Sequence, residues 1–67
     1  MSVLKVVEIL SSSTESWEDA TKKAVAKASE TLKGIRSVYI NEQSATVRDG
    51  KIQEFCVNVK LTFEVID

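Results

Sequence analysis

The run Phe55-Cys56-Val57-Asn58-Val59-Lys60-Leu61-Thr62-Phe63-Glu64-Val65 alternates apolar and polar residues without a break. Successive side chains of a strand point to opposite faces. Phe55, Val57, Val59, Leu61, Phe63 and Val65 therefore share one face, and Cys56, Asn58, Lys60, Thr62 and Glu64 the other. Extended from Ile52 to Ile66, this strand spans about 50 Å at roughly 3.3 Å per residue. That is long for a chain of 67 residues.

Just upstream, Arg48-Asp49-Gly50-Lys51 is a turn, because Asp-Gly suits the positive backbone angles of a two-residue hairpin loop. The partner strand runs from Ile35 to Val47. Val38 and Ile40 point one way; Ser37, Tyr39, Asn41 and Gln43 point the other. A two-residue loop sets Leu61 opposite Val38 and Val59 opposite Ile40, so the apolar rows coincide. The polar face then gathers Ser37, Tyr39, Asn41, Gln43, Cys56, Asn58, Lys60 and Thr62.

Further upstream the period changes. Trp17, Ala20, Ala24, Val25, Ala28 and Leu32 recur at three- and four-residue spacing, which predicts a helix over about Thr14 to Leu32. Its stripe is mostly alanine and can lie close to a flat sheet. Ser12 with Glu15 fits a capping box, and Ser13 is an equal cap. Glu15, Glu18 and Asp19 sit where the helix dipole favours negative charge, and Gly34 suits the C-terminal cap. Val3 to Leu10 is β-branched and apolar on both faces, so it predicts a strand that wants cover on both sides. The expected fold is α+β in the order β-α-β-β. One helix packs in a long, curved three-stranded antiparallel sheet, as a single domain over residues 1–67.

Composition limits what such a domain can do. Its 67 residues weigh 7.4 kDa. A core of that size barely offsets the entropy of ordering the chain, and the usual remedies are disulfides, a structural metal or self-association. One cysteine and no histidine leave self-association. The same counts exclude histidine-based triads and cysteine-rich clusters. No residue pair has a spacing that suggests acid–base catalysis, so no enzyme is expected. A net charge of −1 offers no broad basic surface to nucleic acid. The longest apolar runs are a few residues, so nothing spans a membrane. A free thiol and an N-terminus without an apolar leader point to the cytoplasm.

Taken together, the β-α-β-β order, the Ser13-Thr14-Glu15-Ser16-Trp17 helix start, the alanine-rich helix, the Glu42-Gln43 pair and the Phe63-Glu64-Val65 finish resemble the dodecin family over essentially the whole chain. The resemblance implies a hollow homododecamer that sequesters a small ligand. The ligand it implies is a flavin (FMN, riboflavin or lumichrome) bound weakly; the alternative is the same assembly without flavin, with a structural or calcium-binding role. In the family a tryptophan at the start of the second strand stacks on the flavin ring, and a glutamine in the third strand hydrogen-bonds its edge. Those positions carry Ser37 and Cys56 here. Glu42 supplies the acidic residue of the second strand and is expected to face the ribityl chain, with Gln43 beside it. Ser37, Cys56, Glu42 and Gln43 are thus the expected cofactor-binding residues.

Each candidate also has a plain structural reading. Cys56 reads as a surface or interface thiol, and Trp17 as a core residue of the helix stripe. Glu15, Glu18 and Asp19 could hold Ca²⁺, but dipole compensation explains them without a metal. Arg36 and Lys5 read as phosphate ligands or, better, as intersubunit salt bridges.

Overall fold

The computed structural model describes residues 3–65. It contains β1 (Leu4–Ser13), α1 (Trp17–Ala28), β2 (Ile35–Arg48) and β3 (Lys51–Glu64). The three strands form one antiparallel sheet in the order β1-β3-β2. The expected α+β class and β-α-β-β order are therefore found. Asp49 and Gly50 both have positive φ, 52° and 76°, as a two-residue hairpin loop requires. Leu61 pairs with Val38 and Val59 with Ile40, in the expected register. Ile66, the expected end of the last strand, lies outside the described residues.

Several boundaries differ: the helix begins at Trp17 and not about Thr14, β2 runs on to Arg48, β3 spans Lys51–Glu64, and two further shifts are larger. β1 continues through Ser11, Ser12 and Ser13, which pair with Val57, Cys56 and Phe55. The serines are strand, because β3 is long enough to hold them by backbone hydrogen bonds. The cap consequently shifts from Ser12 or Ser13 to Ser16, whose hydroxyl accepts the Asp19 N–H at 2.9 Å. The helix also stops at Ala28 and not at Leu32. The Ser29 hydroxyl donates to the Val25 carbonyl at 2.8 Å, and the Leu32 N–H reaches the Ala28 carbonyl in a closing turn. Gly34, with φ 75°, then turns the chain into β2, and its carbonyl accepts the Glu64 N–H.

Ser13 is buried and does more than pair. Its hydroxyl donates to Asp19 Oδ2 at 2.6 Å and accepts the Glu15 N–H at 2.9 Å. Lys23 lies 3.1 Å from the same carboxylate oxygen. The Ser13 hydrogen bond first, and Lys23 second, hold the Asp19 carboxyl below its ordinary value of 3.8. A lowered native pKa contributes stability above the ordinary value and loses it as pH falls through the native value. Thermal melts from about pH 5 down to about pH 2 should therefore fall more steeply for the native protein than for Asp19→Asn, which keeps the shape and lacks the charge. Parallel curves would remove Asp19 as a source of acid sensitivity.

The core lies between α1 and the β1–β3 half of the sheet. Ala20, Ala24, Val57 and Val59 form its centre, with Ile9 and Trp17 packed against it. Trp17 meets the Phe55 ring edge-to-face at 4.9 Å, and its Nε1–H donates to the Ser44 carbonyl at 2.7 Å. Trp17 is thus a packing residue that ties the helix start to β2. Beyond the helix's reach Val38 and Ile40 stay exposed, although they lie in the core-side row. The molecule measures 51 × 19 × 13 Å. Its radius of gyration is 13.7 Å, against about 11 Å for a compact chain of this length.

Candidate functional site

The sheet face opposite α1 carries an open cleft of about 410 Å³, within the range of small-molecule sites. Register builds it. Ser12 and Ser44 flank Cys56 in one cross-strand row; Leu10 and Glu42 flank Asn58 in the next. Paired residues of an antiparallel sheet project to the same side, so these six side chains share one surface.

That surface depends on an irregularity in β2. The pairing shifts by one residue between Ile40 and Glu42, leaving Asn41 as the extra residue. A bulge of this kind moves every following side chain to the opposite face. Glu42 and Ser44 are brought beside Asn58 and Cys56, whereas Gln43 lies opposite Val57 in the core-side row. The expected polar face is corrected at that point: Gln43 does not share it with Cys56. Ser37 does lie on the cleft face, opposite Thr62, but six residues along β3 from Cys56. That separation is about 20 Å. Of the four expected residues, one protomer brings together Cys56 and Glu42 in the cleft; Ser37 and Gln43 lie elsewhere.

Asn58, expected on the polar face with Cys56, is part of the wall; Leu10, Ser12 and Ser44 complete it and were not expected there. Alternation alone placed Asn58 next to Cys56, which was the available signal. Ser12 was hidden by its resemblance to a helix cap, and Ser44 by the bulge. Asn58 also stands apart energetically. Among the described residues, its Oδ1 is the one buried side-chain oxygen or nitrogen without a hydrogen-bond partner. Such an acceptor carries an uncompensated desolvation cost of about 1–3 kcal/mol.

The cleft has one formal charge, the Glu42 carboxylate, and no lysine or arginine lines it. Its remaining polar lining residues are Ser11, Ser12, Ser44, Asn58 and Cys56. This set suits a neutral ring system bearing an N–H and hydroxyls: the buried Asn58 acceptor matches a ring N–H, and the surface hydroxyls and the carboxylate match a polyol chain.

The other candidates are engaged within the chain. Glu18 pairs with Lys22 at 3.2 Å, and Asp19 with Lys23. Among the described residues, no three of His, Cys, Asp or Glu gather into a group that holds a metal. Arg36 pairs with Glu64 of its own chain. Among the described residues, no helix is long and apolar enough to cross a membrane.

Comparison with known proteins agrees with this architecture. The chain is 31% identical over 65 residues to the protein named calcium dodecin from Mycobacterium tuberculosis, covering 97% of this chain and 92% of that one. A crystal structure of that calcium dodecin, described as calcium-chelating, superposes with a TM-score of 0.83 at 32% identity, over 96% of this chain and 91% of the other. A point mutant of the Thermus thermophilus dodecin superposes with a TM-score of 0.95 at 27% identity over the whole of both chains. The dodecin family model matches residues 3–66, and on that match the chain belongs to the dodecin family.

Proposed function

We propose that this dodecin assembles as a homododecameric shell in the cytoplasm and sequesters a small aromatic ligand, a flavin bound weakly, without catalysing a reaction. The observation that carries the reading is the cleft across Ser12, Glu42, Ser44, Cys56 and Asn58, open on the sheet face and floored by an unpartnered acceptor. Ser37 and Cys56 are about 20 Å apart along the sheet, too far to serve one flavin ring from one chain. The reading therefore takes Cys56 and Glu42 from one copy and Ser37 from a neighbour, and Gln43 stays outside the cleft.

The charge of the cleft sets a preference among flavins. An FMN phosphate carries about −1.5 to −2 charges at neutral pH. A charge of that sign held within a few ångströms of the Glu42 carboxylate is repelled by about 1 kcal/mol in water. Titration followed by quenching of flavin fluorescence should show riboflavin binding about fivefold more tightly than FMN. Absence of quenching by either flavin would remove this reading. The resemblance to a calcium dodecin favours one second reading, a shell that holds Ca²⁺ between copies. Calorimetry with Ca²⁺ in place of flavin distinguishes the two.

A further inference from the structure

We propose that Asn58, and not a residue at the position of Cys56, supplies the hydrogen-bond acceptor for the ring N–H of the ligand. The inference rests on the reading that the cleft holds a flavin. Asn58 sits at the centre strand of the sheet, flanked by Leu10 on one side and Glu42 on the other. Its Oδ1 is buried and has no partner, so the free protein carries a polar atom removed from water with nothing in exchange. An asparagine in a strand core of this kind destabilises the free protein, since an apolar residue of the same shape removes the orphan acceptor. A ligand N–H placed in the cleft satisfies that acceptor. The neighbouring thiol of Cys56 is a poor substitute, because sulfur is a weak acceptor. Leu10 supplies an apolar surface in the same row, 77% exposed in the single chain, on which a planar ring can lie. The ligand class follows: a planar heteroaromatic ring with an N–H on its edge, and no negative charge near Glu42.

The test combines a variant and a ligand analogue. Asn58→Leu keeps the shape and removes the acceptor. It should weaken riboflavin binding about tenfold while raising the melting temperature of the ligand-free protein by several degrees. The native protein, with no substitution, should bind 3-methylriboflavin about tenfold more weakly than riboflavin, since methylation replaces the N–H. Asn58→Leu should bind the two alike. If Asn58→Leu binds riboflavin as the native protein does, or if methylation costs both proteins equally, the assignment to Asn58 is wrong although the cleft still holds flavin. If the native protein binds no riboflavin, the occupancy reading itself fails, and it fails before any variant is made.

Discussion

Replacing Ser37 by tryptophan and Cys56 by glutamine together should strengthen riboflavin binding at least tenfold. The resemblance to the dodecin family implies that a tryptophan and a glutamine at those two positions stack on the ring and hydrogen-bond its edge, and the substitution tests that expectation. A stacking aromatic contributes about 0.5–1.5 kcal/mol beyond the area it buries. A hydrogen bond adds about 1 kcal/mol. The sum, roughly 1.5–2.5 kcal/mol, corresponds to about ten- to sixty-fold in affinity per site. Both positions accept the change sterically: Ser37 is exposed and Cys56 is only partly covered, so neither side chain enters the core. Because the two residues lie about 20 Å apart in one chain, they act on one ring only if copies meet there. The gain thus tests site and assembly together. No gain in a riboflavin titration would overturn the placement of the site at Cys56.

The second large effect concerns the chain itself, which should be found as a closed assembly and not as a monomer. Among the described residues, six apolar side chains are buried, and three of them are alanines. Only Val57, Val59 and Leu61 bring sizeable side chains into that core. Each fully buried aliphatic side chain contributes roughly 1.5–3 kcal/mol. Ordering the chain costs about 1.5 kcal/mol per residue, so a core this thin does not hold the fold alone. The surface shows the complementary excess. Leu4, Val6 and Leu10 stand exposed on the cleft face of β1, and Val47 and Ile52 near the hairpin tip. Val38 and Ile40 are left open on the helix side. A small monomer rarely leaves that many large apolar side chains open to water, and covering them with further copies removes them from it. The elongated shape has the same cause: a strand of 14 residues is longer than its own helix of 12 can cover, since a helix rises only about 1.5 Å per residue.

Most of the fold was legible in residues with strong local signals. The alternation from Phe55 stands in the structure as far as Glu64, the Asp49-Gly50 loop stands, and the Trp17–Leu32 stripe is helical as far as Ala28. The serines at 11–13 were not legible, because serine suits a cap or a turn better than a strand, and only pairing with β3 overrides that preference. The site was half legible for a related reason. Alternation puts Glu42 on the face away from Cys56, and the extra residue at Asn41 instead brings Glu42 and Ser44 beside it and turns Gln43 away. No residue near Asn41 announces a bulge; it follows from fitting two strands that must match at both Ile40 and Thr46. Asn58 was visible as a polar neighbour of Cys56, yet its buried, unpartnered oxygen is a property of packing that no pattern of residue types reveals.

Native mass spectrometry on protein freshly purified from a flavin-containing lysate tests the central claim most directly, since it weighs the assembly and its retained ligand at once. The account predicts a single species near twelve chains of 7.4 kDa, about 89 kDa, carrying flavin-sized adducts. A dimer, a trimer or a stable monomer free of small molecules would contradict it.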